Sequence, residues 1–193
     1  MYRQRYNRGG NRQEVENAMS SIDIFKYCPC CGSSRYITNS FKSKKCEDCG
    51  FEQFLNPSAA YVALIRDAEG RLLVTRRLYE PAKGTLDLPG GFADMGETAE
   101  EGVAREVKEE TNLIVTSCCF LFSLPNTYLY SGLNVPTLDL FFECKVADTS
   151  QLKAMDDAAE CMWLEPKDIN PEDFGLKSIS EGIKKVFNCQ SIT

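Results

Sequence analysis

The sequence predicts an α/β sandwich preceded by a small metal-stapled ribbon. Three observations carry this. Along residues 57–190, short apolar runs with strand character are mixed with two segments of helical spacing, the pattern of a sheet covered by helices. Before them, Cys28-x-x-Cys31 and Cys46-x-x-Cys49 stand 14 residues apart, the spacing of a four-thiolate zinc site. Charge divides at the same place: residues 1–50 carry nine Lys or Arg against five Asp or Glu, and residues 51–193 carry 13 against 23. A basic head on an acidic body indicates two functional units.

Composition narrows the chemistry. A chain of 193 residues suits one core domain with an appendage. No run of 18 apolar residues occurs, which argues against a membrane-spanning helix. The first 19 residues are polar and Arg-rich with no apolar stretch, so no secretory signal is expected and the ten cysteines are assigned to a reducing cytoplasm. There is no histidine, which removes His bases, His-activated nucleophiles and His metal ligands. Catalysis must then run on carboxylates, metals, Lys, Tyr or Cys.

Residues 1–24 are expected to be a flexible arm, with Arg3, Arg5, Arg8 and Arg12 around Gly9 and Gly10 and a short helix possible over 14–24. Residues 25–54 form the ribbon. Each cysteine pair precedes a glycine, Gly32 or Gly50, which suits a tight knuckle, and Cys28, Cys31, Cys46 and Cys49 are the expected ligands of a structural Zn2+. Four thiolates leave no open position for water, so this metal folds the module rather than catalysing. Cys30 is a spectator. Asn56-Pro57 marks the hinge. Residues 59–66 read as a buried strand, Asp67–Gly70 as a turn, and 71–77 as the second strand of a hairpin. A loop-rich stretch follows to Gly91. A helix is expected over 98–111, core strands over 114–123 and 137–146 with a loop from Pro125 to Pro136, a short strand over 161–164 and a helix over 177–188. Cys118, Cys119, Cys144, Cys161 and Cys189 are expected to be core residues, and Trp163 to pack in the core.

The helix over 98–111 carries the chemistry. Thr98 followed by Glu101 is a capping box, and Asn112 suits the left-handed position that ends a helix. Glu106, Glu109 and Glu110 stand at i, i+3 and i+4, on one face. Three carboxylates crowded in this way repel each other unless a cation intervenes, and oxygen ligands suit a hard ion, Mg2+ or Mn2+. The acidic body would repel a phosphate-rich substrate without such an ion. The simpler alternative is an acidic helix face in solvent.

The full stretch resembles the Nudix box, G-x5-E-x7-R-E-U-x-E-E-x-G-U with U aliphatic. Gly91, Glu97, Arg105, Glu106, Val107, Glu109, Glu110 and Leu113 match, eight of the nine fixed positions, and Asn112 replaces the last glycine. The resemblance covers roughly 57–190. It implies a Nudix α/β/α sandwich with a mixed sheet, and Mg2+-dependent hydrolysis of a nucleoside diphosphate linked to another moiety, giving a nucleoside monophosphate and X-phosphate. It implies Glu106, Glu109 and Glu110 as metal ligands, Glu97 paired with Arg105 to orient the site, and Gly90 and Gly91 as the loop that meets the metal. Glu109, Glu110 or Glu160 would be the base, Glu160 being the first candidate downstream and Asp157 and Glu143 weaker ones; an ordinary surface acid is the alternative for each of the last three.

A four-cysteine ribbon before a Nudix domain is similar to the NADH pyrophosphatase branch, which carries S-Q-P-W-P-F-P-x-S after the box. Ser123 and Pro125 match, but the Gln, Trp and Phe positions hold other residues. The substrate expected is therefore a dinucleotide or nucleotide-sugar diphosphate such as ADP-ribose or NAD(H). Tyr128 or Tyr130 is a candidate to stack a base, or else a loop or core tyrosine. Arg76 and Arg77 are candidates to clamp a phosphate, or else surface residues. Three further expectations complete the reading: a homodimer, no membrane partner, and nucleic acid as an unfavoured partner of the ribbon. The competing function is a non-catalytic ADP-ribose sensor whose ribbon binds nucleic acid or protein.

Overall fold

The computed structural model describes Ile22 and residues 24–130, 133–155 and 158–188. Most of the 1–24 arm, together with Asp157 and Cys189, lies outside the described residues. The chain divides into two compact units, one comprising residues 1–57 with 129–136, the other 58–128 with 137–193.

The first unit holds an antiparallel three-stranded sheet, β1 (Tyr36–Ser40), β2 (Ser43–Cys46) and β3 (Glu52–Phe54), in that order. Its buried apolar cluster consists of Cys28, Tyr36 and Cys46. Two of these three are cysteines, so the module has almost no core of its own.

The second unit is an α/β/α sandwich. One sheet has the order β7-β4-β9-β8, with β4 (Ser58–Ile65), β7 (Gly90–Phe92), β8 (Val115–Tyr130, in this unit up to residue 128) and β9 (Leu133–Val146, in this unit from residue 137). It is mixed, because β4 runs antiparallel to β7 and parallel to β9. The other sheet has the order β10-β5-β6, with β5 (Leu72–Arg77), β6 (Leu86–Asp87) and β10 (Ala158–Leu164). Two helices cover opposite faces, α1 (Ala99–Thr111) and α2 (Lys177–Asn188). Side chains alternate across a strand, and β4 shows the consequence. Val62 and Leu64 join Ile179 and Ile183 of α2, while Tyr61, Ala63 and Ile65 join Val103 and Val107 of α1. Close approach of α1 to the sheet depends on Gly102, where a Cβ would collide with the Tyr61 ring.

Three expectations are corrected here. β4 and β5 are not a hairpin. They meet only at the Arg66–Leu72 bridge and then enter different sheets. Both strands are apolar on both faces, with Tyr61–Ile65 and Leu72–Val74 all buried, so each is sealed by packing on two sides and direct pairing is not required. The stretch from Pro125 to Pro136 is not a loop either, since β8 and β9 extend through most of it. Pro125 is tolerated because β8 is the sheet edge. Pro136 falls just before β9 begins pairing with β4 at Thr137. Cys119 is exposed on that edge strand rather than in the core, whereas Cys144 is buried and Cys118 and Cys161 are half-buried.

Candidate functional site

The α1 start is built as its sequence requires. Thr98 accepts a hydrogen bond from the Glu101 amide at 3.2 Å, and Glu101 accepts one from the Thr98 amide at 2.8 Å. Asn112 ends the helix in the left-handed conformation, φ 61°, which an asparagine adopts at little cost.

Arg105 organises the acids on this helix. Its Nε and Nη2 donate to the two oxygens of Glu97 at 3.0 and 2.9 Å, and its Nη1 donates to Glu106 and Glu109, both at 2.9 Å. Nη2 also reaches the Phe92 carbonyl at 3.2 Å, tying the helix to β7. Glu110 is held separately, accepting from the Gly90 amide at 3.1 Å. Gly91 lies against Glu106, whose Oε1 would be 2.5 Å from an added Cβ; any side chain there would displace this carboxylate. Glu106, Glu109 and Glu110 therefore face one cavity beside Gly90 and Gly91, of about 280 Å3.

The electrostatics separate two roles. Arg105, with help from the Asp94 amide, holds the Glu97 carboxyl below the usual glutamate range. Burial pushes the Glu106 carboxyl up, with Glu109 and Glu97 adding to the rise against the opposition of Arg105. Glu97 is thus a stable anion that anchors Arg105, while Glu106 is an anion held in a place that disfavours it. The Glu97 shift has a measurable consequence. A depressed folded pKa stabilises the fold above the unfolded value, about 4.3, and that contribution is lost as pH falls through the lower folded value. Wild type is expected to melt above Glu97→Gln at pH 6, with the gap closing below about pH 4; thermal melts across pH 3–7 check this, and a pH-independent gap would contradict it.

The cavity is lined by residues of both sheets, among them Ala60 and Val62 of β4 and Thr75 and Asp87 of β5 and β6. Arg77, at the end of β5, lines it, donating to Asp87 at 2.5 Å, to the Tyr128 hydroxyl at 3.0 Å and to the Pro81 carbonyl at 2.8 Å. Tyr128 lines it too, its ring edge-on to Phe92 at 5.4 Å. The other sequence candidates sit elsewhere. Arg76 is paired with Glu160 at 3.2 Å across β5 and β10, and neither lines the cavity. Glu143 is paired with Arg66 at 3.0 Å, and Tyr130 is exposed.

Two lining residues escaped the sequence reading, Asp87 and Asp139, both buried. Burial drives the Asp87 carboxyl up despite Arg77. Asp139 accepts from Thr137 at 2.6 Å, Asn126 at 3.2 Å and Ser178 at 2.5 Å. A signal for them existed: Thr-Leu-Asp-Leu occurs twice, at 85–88 and 137–140. An acid set within an apolar strand needs buried partners or a function.

In the first unit, Cys28, Cys31, Cys46 and Cys49 place their sulfurs within 4.8 Å of one another. Cys28–Cys49 and Cys31–Cys46 are each 3.6 Å apart. Tetrahedral zinc with Zn–S of about 2.3 Å requires sulfurs roughly 3.8 Å apart, so the donor set fits. The Cys49 and Asp48 amides donate to Cys46 and lower its thiol to about 7.

Residues 55–183 match the NUDIX domain family. The chain belongs to the Nudix family. Among curated relatives of this Nudix chain, the ADP-ribose pyrophosphatase of Methanocaldococcus jannaschii is 36% identical over 110 residues, 52% of this chain and 64% of that protein. The NAD-capped RNA hydrolase NudC of Vibrio cholerae is 30% identical over 100 residues, 52% of this chain and 36% of that protein. The matches thus span less than two thirds of either relative. A NUDIX hydrolase from Nitrosomonas europaea superposes with a TM-score of 0.66 over 86% of this chain and 93% of its own, at 21% identity, a likeness of fold. Among the described residues no helix is long and apolar enough to cross a membrane.

Proposed function

We propose that this protein is a divalent-metal-dependent pyrophosphohydrolase. It cleaves a nucleoside diphosphate linked to another moiety, of the ADP-ribose or NAD(H) type, into a nucleoside monophosphate and X-phosphate. The observation that carries this is the set of three box carboxylates facing one cavity, anchored through Arg105 and Gly90. The relatives named for ADP-ribose and NAD-capped RNA favour the same substrate class.

Glu106, Glu109 and Glu110 would hold Mg2+ or Mn2+. Such an ion neutralises the diphosphate, polarises its oxygens and makes bound water more acidic. The donor set fits: it is all oxygen, and the carboxylate that burial disfavours most, Glu106, gains from a cation. Arg105 and Glu97 fix the geometry. Glu109, the most open of the three at 47% side-chain exposure, accepts the proton of the attacking water. Arg77, already held by Asp87 and Tyr128, orients a phosphate oxygen. Cys28, Cys31, Cys46 and Cys49 hold a structural Zn2+.

The test is release of AMP from ADP-ribose, NADH and diadenosine polyphosphates with and without Mg2+, followed by chromatography. Wild type should release AMP only with the ion, and Glu109→Gln should release almost none. Tight ADP-ribose binding without turnover of any compound would instead establish a sensor.

A further inference from the structure

The second unit blunts three of its four sheet edges. An open edge presents unpaired backbone N–H and C=O groups, and proteins protect it with a short strand or with charge. β6 and β7 are short, with two and three residues. β10 carries Glu160. The fourth edge is β8, and among the described residues no strand lies beyond it. From Val115 to residue 128 it runs about 48 Å, against about 17–20 Å for a common strand.

β8 also carries no charge. Residues 111–138 contain no Asp, Glu, Lys or Arg, in a chain where about one residue in four is charged. Ile114 is 53% exposed, Phe120 52% and Leu121 40%, and Cys119 is exposed among them. Two protective features do exist on this strand. Pro125 removes one N–H. The Phe120 and Phe122 rings pack on Phe142 and Phe141, which belong to the clusters on opposite faces of the sheet. The pleat of β8 is therefore broken between Phe120 and Phe122. The segment from Ile114 to Leu121 lies ahead of Pro125 and reaches only as far as the break.

The occupant of this segment has to satisfy its charge and its order of side chains. Residues 51–193 carry 13 Lys or Arg against 23 Asp or Glu. A cationic partner would find its carboxylates elsewhere on this unit, whereas two copies repel each other except at an uncharged patch. The order Ile114-Val-Thr-Ser-Cys-Cys-Phe-Leu121 runs from two large apolar residues through four small ones to two large apolar ones. It reads the same in both directions. Two copies related by a two-fold axis present the same residues to each other in opposite order. Ile114 then meets Leu121, Val115 meets Phe120, and the small residues meet between them.

We propose that β8 is a self-docking edge, along which residues 114–121 of two copies pair antiparallel and join their four-stranded sheets into one of eight. Backbone hydrogen bonds join the strands, and the apolar pairs at both ends set the register. The inference is independent of the hydrolase reading and gives the expected homodimer a location.

The test is sedimentation equilibrium of the full chain with zinc and a thiol reductant, over about 1–100 µM. The reductant excludes disulfide-linked pairs. A monomer–dimer equilibrium is expected, and hydrogen exchange over the same range should show amides of residues 115–120 gaining protection as the dimer forms. Leu121→Lys and Cys119→Lys each put a charge at an exposed position, and the two-fold axis doubles it. Each should weaken association at least about tenfold and leave the melting temperature of the monomer unchanged. If Leu121→Lys does not fold, Cys119→Lys decides. A chain that stays monomeric throughout leaves the edge to another protein and overturns the proposal. So does a dimer that both lysines leave intact, or one that forms without protecting residues 115–120.

Discussion

Glu106→Gln is expected to lower Mg2+-dependent cleavage of ADP-ribose by about 10²–10³-fold while raising the melting temperature of the metal-free protein at neutral pH. The activity loss follows from removing one anionic ligand at a site where the ion supplies several kcal/mol; about 3–4 kcal/mol corresponds to that factor. The stability gain follows from the direction of the carboxyl shift. Burial raises the folded Glu106 value. A carboxyl raised on folding supports the fold below its unfolded value and loses that support as pH rises through the folded value. At pH 7 the wild type holds a desolvated anion that glutamine replaces with a neutral isostere still able to accept from Arg105. The gap between the two melts should close below about pH 4. Mg2+ should raise the wild-type melting temperature by linkage and move the variant much less. A variant that is both active and equally stabilised by Mg2+ would remove Glu106 from the site.

Such opposed effects are expected where local consistency yields to function, and they explain which parts of the molecule were legible in the sequence. The α1 boundaries could be read because Thr98, Glu101 and Asn112 satisfy terminal backbone groups by local chemistry. The resemblance to the box paired Glu97 with Arg105, and the pair forms because Glu97 stands just before the Thr98 cap and turns back along α1 to the guanidinium. The β4–β5 relation could not be read. An apolar run buried on both faces carries no alternation to say which sheet it joins, and the turn at Asp67–Gly70 is equally compatible with a hairpin or a change of sheet. Asp139 was missed for a different reason. Its partners Asn126, Thr137 and Ser178 come from three elements up to 52 positions apart, and no local pattern records that meeting. The same holds for the link from Arg77 to Tyr128, 51 residues apart.

Cys46→Ser is expected to unfold the first unit selectively. Its three strands hold 12 residues in all, and Tyr36 is the one buried apolar residue among them that is not a cysteine. Backbone ordering costs about 1–2 kcal/mol per residue, which one tyrosine, worth about 1.5–3 kcal/mol, does not offset. Structural zinc binding contributes about 10–16 kcal/mol, enough to change the balance. The second unit has its own two core clusters and needs no such staple. Hydrogen exchange should therefore show amides of β1–β3 losing protection on zinc chelation or in the Cys46→Ser protein, with those of β4, β5 and α1 unchanged, and metal analysis should fall from one zinc per chain to none. Cys30→Ser should leave both measurements as in wild type, because the cluster is completed by Cys28, Cys31, Cys46 and Cys49 without it. Protection of β1–β3 that survives chelation would mean that the strands are held by something other than the metal, and the zinc assignment would fall with it.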